Sequence, residues 1–296
     1  MRNILAIDIG GTAIKYGVLN ESGTLLFERK TATEAMKGGA HLVEKVCALI
    51  QEAVDTHQIS GVSIATPGIV DTEKGEMLWA NDNLPGYKGT QWKQVISSRF
   101  SIPCEVENDA YCAGIAEYHS GALQGVGVGL CLTIGTGIGG ALLIDGKVFH
   151  GASFSAAEIG YLILPQGSFE AVGSAKPLVE NVAAARGLTP DDINGYEILQ
   201  QAKAGDPTAS AAIANMCDIL GTGIANICYV VNPEVIAVGG GISTEKEFLY
   251  PQLRAAIDKY LMPDFAEKVT LRFAEHENLA GILGAFYNFK ARQNFS

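Results

Sequence analysis

Three short apolar runs in this chain each end in glycines. Ile4-Leu5-Ala6-Ile7 leads into Asp8-Ile9-Gly10-Gly11-Thr12. Val128 to Leu132 leads into Thr133-Ile134-Gly135-Thr136-Gly137-Ile138-Gly139-Gly140. Val235-Ile236-Ala237-Val238 leads into Gly239-Gly240-Gly241. Glycine lets a backbone approach a ligand closely, and N–H groups left free in such turns cradle phosphate oxygens. One turn of this kind is weak evidence; three spread along the chain suggest a nucleotide held between two lobes. The Walker A spacing is absent, so none of them is a P-loop.

Side chains beside these turns add chemistry. The Thr12 hydroxyl can donate to a phosphate oxygen, and Lys15 follows on the next strand. Asp8 can hold Mg²⁺ through water, because Mg²⁺ keeps much of its hydration shell. An ordinary hairpin with a capping Asp is the competing reading of this segment. Thr136 and Gly137 would face the phosphates from the other lobe, or simply turn a hairpin. Gly239, Gly240 and Gly241 end a buried strand before a helix, as an adenine or ribose floor or as a crowded turn. Glu107-Asn108-Asp109 lies at a strand-to-helix junction. A hydroxyl nucleophile needs a base near its oxygen during phosphoryl transfer, and Asp109 is the candidate. Asn108 and Asp109 are equally good helix N-caps.

The elements that must position these residues follow from periodicity. Strands are predicted at 3–8, 14–20 and 24–31, joined by tight turns, then a helix from Leu42 to Ala53 and a strand at 62–65. A helix near 91–99, a strand at 103–106 and a helix to about 119 follow. A second strand and hairpin unit, 127–134, 138–144 and 147–150, repeats the opening pattern. The stretch 151–174 reads as loops. Helices are expected at 175–186, 194–204, 207–231, 245–260 and 279–292, with strands at 234–238 and 268–273. Mixed strands and helices with glycines at strand ends predict an α/β fold in two lobes.

Composition bounds the function. The 296 residues include 21 basic and 32 acidic ones, a formal net charge of −11. No basic cluster breaks the acidic balance, so a nucleic-acid partner is not expected. The six cysteines, Cys47, Cys104, Cys112, Cys131, Cys217 and Cys228, form no C-x-x-C pair and read as reduced core thiols of a cytoplasmic protein. Met1-Arg2-Asn3 runs straight into the first strand, so no signal peptide is expected. No apolar stretch is expected to reach the roughly 20 residues of a membrane span.

Taken in order along the chain, the motifs are similar to those of the ROK family of sugar kinases. Asp8-Ile9-Gly10-Gly11-Thr12, Glu107-Asn108-Asp109-Ala110, Gly135-Thr136-Gly137-Ile138-Gly139-Gly140 and Val238-Gly239-Gly240-Gly241-Ile242 carry the resemblance. Leu279-Ala280-Gly281-Ile282-Leu283-Gly284-Ala285 agrees with it. The resemblance implies the actin-like ATPase (ribonuclease H-like) fold, with a ligand cleft between the lobes, ATP and Mg²⁺ as cofactors, and Asp109 as base. It implies sugar contacts from the Pro67-Gly68 turn, from Asn83 before Leu84-Pro85-Gly86-Tyr87, and from Asn108, Asp109, Glu158 and Glu170. It also implies a homodimer through the larger lobe. Residues 1–120 would form the small lobe, completed by a closing helix at 282–296, and 121–281 the larger one. Repressors of this family carry a helix-turn-helix domain before the phosphate turn, and Asp8 lies too near the start for one to be expected.

The departures bear on substrate. Where many members have Glu-x-Gly-His and then a cysteine cluster that together bind zinc, this chain has Glu158-Ile159-Gly160-Tyr161 and then Gln166 to Gly173 without a cysteine. A zinc site with sulfur ligands is therefore not expected. Tyr161 would offer a hydroxyl or a stacking face in place of the His, or only pack. The combination resembles the zinc-free branch containing β-glucoside kinases, with glucose and N-acetylmannosamine as rival substrates.

Overall fold

The computed structural model describes residues 2–293. These fold as two compact units. The first unit runs to His119 and takes in Val148–Ala156 and the chain from Asn278 onward. It begins with β1 (Asn3–Ile9), β2 (Ala13–Asn20), β3 (Leu25–Ala32), α1 (Gly39–His57) and β4 (Ile59–Thr66). A small hairpin, β5 (Ile69–Asp71) and β6 (Glu76–Trp79), precedes α2 (Trp92–Phe100), β7 (Cys104–Asn108) and α3 (Asp109–Ser120). The sheet order is β3-β2-β1-β4-β7. β1, β4 and β7 run parallel, while the β1–β2–β3 hairpins are antiparallel.

Both faces of β1 are covered, which accounts for its unbroken apolar run. Alternate residues point to opposite faces. Leu5, Ile7 and Ile9 share a core with Leu42, Val46 and Ile50 of α1. Ile4 and Ala6 share another with Ile282, Phe286 and Phe289 of the closing helix.

The second unit contains β8 (Val128–Ile134), β9 (Ile138–Ile144), β10 (Lys147–Val148), β11 (Ile163–Leu164) and β12 (Gly167–Ser168). Helices α4 (Phe169–Gly173), α5 (Ala175–Arg186), α6 (Gly195–Lys203) and α7 (Pro207–Val231) come next. They are followed by β13 (Val235–Gly239), α8 (Lys246–Tyr260), α9 (Pro263–Ala266) and β14 (Thr270–Phe273). The sheet order, β10-β9-β8-β13-β14, repeats the plan of the first unit. β8, β13 and β14 are parallel and β8–β9 is antiparallel.

Three expectations need correction. α7 does reach the length and hydropathy of a membrane span, with a mean of 1.3 over its most apolar window. It serves as a core helix: Ile213, Leu220 and Ile224 pack with Leu130, Leu132, Ile236 and Val238 of the sheet. Asp218, on its outer side, pairs with Lys259 at 2.7 Å. The stretch 151–174 is not only loops, since it holds a 3-10 turn at Ile159–Tyr161, the β11–β12 hairpin and α4. The β5–β6 hairpin was also unforeseen. All are five residues or shorter, too brief to show a period.

The chain closes with α10 (Ala280–Arg292), which packs in the first unit. The end of the predicted closing helix, 294–296, lies outside the described residues. A Cβ at Gly284 would stand 1.8 Å from the Cys112 carbonyl oxygen of α3. Only glycine permits that backbone-to-backbone approach. Gly284→Ala is therefore expected to destabilise the fold by about 2 kcal/mol or more, since overpacking outweighs the gain in helix propensity. Urea denaturation would show this as a lower midpoint.

Candidate functional site

In the first unit the implicated residues collect at the C-terminal ends of β1, β4 and β7. Asp8 pairs across the sheet with Ala65, and Thr66 with Asn108. Parallel strands end on one edge, so the three following turns become neighbours. Gly10 donates its N–H to the Ala13 carbonyl at 3.0 Å. The turn is braced by Thr33, which donates its N–H to the Thr12 carbonyl at 2.9 Å and its hydroxyl to the Gly10 carbonyl at 2.5 Å. Gly11 and Thr12 are exposed, and a Cβ at Gly11 would meet nothing within 4 Å. That open backbone is room for a ligand.

Asp8 continues the parity of Ile4 and Ala6 and so faces α10. A Cβ at Gly281 would lie 2.4 Å from the Asp8 carboxyl carbon. The carboxylate thus sits against the first turn of a helix, where the positive end of the macrodipole favours it. Lys15, on β2, lies 3.9 Å away and donates to the Asn278 carbonyl and side chain. Burial, and then the charge of Asp109, push the Asp8 carboxyl up from 3.8 to about 6, against the pull of Lys15.

Asn108 caps α3. Its Oδ1 accepts the Tyr111 N–H at 3.1 Å, and its Nδ2 donates to the Gly68 carbonyl at 3.0 Å. One amide hydrogen stays available. Asp109 opens the helix, with Oδ1 accepting the Ala110 N–H at 2.9 Å. Burial raises its carboxyl above the usual range, opposed by backbone hydrogen bonds at Ala110 and at Asp109 itself. Gly68 has φ +103°, and a Cβ there would strike the Trp79 carbonyl oxygen at 2.4 Å. Asn83 lies on an exposed turn and donates its N–H to the Asn81 side chain at 3.1 Å. Tyr87 is fully buried and bonds Thr66 and Trp92.

The second unit brings its own glycine turns together. Gly239 pairs with Thr133, so the turns after β8 and β13 are adjacent. Gly240 has φ +87°, and a Cβ there would stand 2.3 Å from the Ile134 carbonyl oxygen. Gly135 donates its N–H to the Gly137 carbonyl at 2.9 Å and accepts the Ala175 N–H at 2.8 Å. Added Cβ atoms at Gly135 and Gly241 would meet open space. Glu170, in the first turn of α4, accepts the Ile138 N–H at 2.9 Å, and its carboxylate leaves no room for a Cβ at Gly137. Glu158 precedes the 3-10 turn that ends in Tyr161. The Tyr161 ring is 59% exposed, and its hydroxyl is pushed up by partial burial and then by Glu158 and Glu170. These three side chains therefore share one neighbourhood.

Sequence reasoning missed the Thr33 brace, the Asn278 partner of Lys15, and His150, which bonds Glu107. None carries a local motif. Gly281 was visible only within Leu279 to Ala285, a segment that agrees with the family resemblance.

The sequence pattern of the ROK family matches residues 4–292. The chain belongs to the ROK family. An uncharacterised protein of Clostridium perfringens (strain 13 / Type A) is 43% identical over 290 residues, covering 98% of each chain. A beta-glucoside kinase of Listeria monocytogenes is 30% identical over 300 residues, again covering 98% of each. Among solved structures, a ROK family glucokinase from Streptomyces griseus in complex with glucose and AMPPNP superposes with a TM-score of 0.84. Its identity is 29%, and the match covers 96% of this chain and 97% of that one. The fold is that of the actin-like ATPases.

The first unit's strand ends fit a magnesium-bound phosphate. The Asp8 carboxylate is a hard oxygen group that would hold Mg²⁺ through water, and the open Gly11 backbone leaves room beside it. Among the described residues no group of three or more His, Cys, Asp or Glu side chains could hold a metal by itself. Mg²⁺ needs none, because substrate phosphates and water complete its shell.

Because the folded state raises the Asp8 carboxyl, it holds that proton more tightly than the unfolded chain. The stabilising contribution is full below about 3.8 and is lost as pH rises through about 6. Raising a carboxyl pKa by one corresponds to about 1.4 kcal/mol. Asp8→Asn should therefore melt close to wild type at low pH and a few degrees above it at pH 8. Scanning calorimetry of the two ligand-free proteins across that range checks the sign.

Proposed function

We propose that this chain transfers the γ-phosphoryl group of ATP to a sugar hydroxyl, the 6-hydroxyl of a glucosyl unit in a β-glucoside such as cellobiose. The observation that carries the reading is the half-buried Asp109 carboxylate at the β7–α3 junction, its carboxyl raised above the usual range, beside an Asn108 with an amide hydrogen to spare. A base raised toward the operating pH is better matched to its task. The carbohydrate kinase class is supported by the family and by the relatives described above.

In this reading Asp109 takes the proton of the sugar hydroxyl as its oxygen bonds to the γ-phosphorus, and ADP leaves as the phosphoanhydride bond breaks. Asn108 orients a neighbouring hydroxyl. The backbone at Gly10, Gly11 and Thr12, with Lys15, receives phosphate oxygens on the first unit. Thr136, Gly137, Gly239, Gly240 and Gly241 cradle nucleotide on the second. Bound Mg²⁺, held by Asp8 through water, would neutralise charge on the transferred group. Positioning supplies most of the catalysis, as phosphoryl transfer requires.

On the sugar side Gly68 and Asn83 join Asn108 in the first unit. Substrate choice rests on Tyr161, whose exposed ring offers a face for the unit beyond the glucosyl ring, and on the β-glucoside kinase relative. A homodimer and a cytoplasmic location accompany the reading. All six cysteines are free and buried, as reduced core thiols are.

An ADP-release assay across cellobiose, glucose and N-acetylmannosamine tests the proposal. Cellobiose should give the highest kcat/KM, and Asp109→Asn should lower kcat by about 10²–10⁴. Tyr161→Ala should raise KM for cellobiose more than for glucose. Preference for a monosaccharide would refute the β-glucoside assignment, and an undiminished Asp109→Asn would refute the base.

A further inference from the structure

The carboxylate of Glu107 is 2% exposed, and each oxygen has its own partner. Oε1 accepts the Asn108 N–H at 2.8 Å, and Oε2 meets His150 Nε2 at 2.8 Å. The first bond fixes the peptide that enters Asn108. From there the Asn108 side chain reaches the Tyr111 N–H and the Gly68 carbonyl. A chain of contacts therefore runs from His150 through Glu107 to the residue beside Asp109.

His150 reaches this place on Val148–Ala156, the segment that groups with the first unit. The segment closes on itself: Ala156 donates its N–H to the His150 carbonyl at 3.2 Å. Its far end is held by Tyr111, whose hydroxyl donates to the Ala156 carbonyl. The His150 ring also meets the Tyr111 ring edge-on at 5.5 Å and the Phe154 ring at 6.1 Å. One closed loop thus grips residue 107 on one side of Asn108-Asp109 and residue 111 on the other. Phe154, inside it, and Ala157, just past its end, hold left-handed φ of +59° and +58°. That backbone cost persists only where surrounding contacts over-determine the conformation.

A buried carboxylate needs its partners. If the ring is removed, the buried Glu107 Oε2 loses its partner and the carboxylate must turn toward another donor. That turn loosens the acceptor that fixes the Asn108 peptide.

We propose that His150, acting through Glu107, is a positioning residue for the Asn108–Asp109 junction, and that the loop it anchors sets the aim of the catalytic base. The inference rests on Asp109 being that base. It assigns a functional role to a segment that the glycine turns and the sugar-side residues leave out.

The test compares His150→Ala, His150→Gln and Asp109→Asn with wild type on the best sugar and Mg-ATP. A control is Val46→Ala, a cavity in the same unit far along α1. A misplacement of about 1 Å costs about 10²-fold in rate. His150→Ala should lower kcat by about 10- to 100-fold, with KM for Mg-ATP within about twofold. His150→Gln keeps an N–H donor near the Nε2 position and should recover most of that loss. Amide hydrogen exchange at Asn108 and Tyr111 should quicken in His150→Ala and return toward wild type in His150→Gln, a readout that does not depend on turnover. The proposal is overturned if His150→Ala keeps kcat and exchange within about twofold of wild type. It is overturned equally if Val46→Ala, at the same loss of Tm, loses as much kcat. Asp109→Asn separates the two readings: unchanged turnover there refutes the base assignment, while a normal loss there with an inert His150 refutes only the loop.

Discussion

Parallel strands must end on the same edge of a sheet, and this constraint places nearly every residue discussed above. In the first unit β1, β4 and β7 deliver Asp8, Pro67-Gly68 and Asn108-Asp109 to one edge. In the second, β8 and β13 deliver two glycine turns side by side. Strand parity then decides which way each side chain points. Ile4 and Ala6 face α10, so Asp8 does too, and its carboxylate meets the start of that helix at Gly281. The first strand and the last helix are therefore tied together by the residue proposed to hold Mg²⁺ through water. A bulkier residue at Gly281 would evict the carboxylate.

The second constraint is charge. Asp8, Glu107 and Asp109 surround the first turns of α3, and the Cys112 thiol registers all three: burial first, then these carboxylates, push it far above its ordinary value. Three acids so placed repel one another. The structure offsets this with local devices, not with bulk solvent: a helix start for Asp8, backbone N–H groups for Asp109, and an imidazole with a backbone N–H for Glu107. Burial raises the carboxyls of both Asp8 and Asp109, and a raised carboxyl suits the proton-accepting role proposed for Asp109.

The legible part of the fold was the part that is periodic or punctuated. Helices at 175–186 and 207–231 were read at their observed ends because their apolar spacing is long and regular. The β1, β8 and β13 turns were read because a glycine cluster interrupts an apolar run where the chain must leave the sheet. The repeated strand order of the two sheets was foreshadowed only as a pattern, since no residue identity carries it. The stretch 151–174 and the β5–β6 hairpin escaped because each element is shorter than the period that would reveal it. Thr33, Asn278 and His150 escaped for another reason: each meets its partner across at least 20 residues of chain, and nothing local in sequence marks a long-range contact.

The shared sheet plan also shows why the two units differ at their strand ends. The first carries acids where strands stop. The second carries glycine backbone, and a carboxylate against its turn, Glu170, is engaged by the Ile138 N–H. A nucleotide is an anion, and bare N–H groups accept it at no electrostatic cost, whereas unpartnered carboxylates would repel it. A hydroxyl nucleophile has the opposite need, because it must lose a proton to a nearby anion. In the proposed function the second unit's turns would thus meet the nucleotide without opposing charge, while the first unit's phosphate turn would need bound Mg²⁺ to offset its acids.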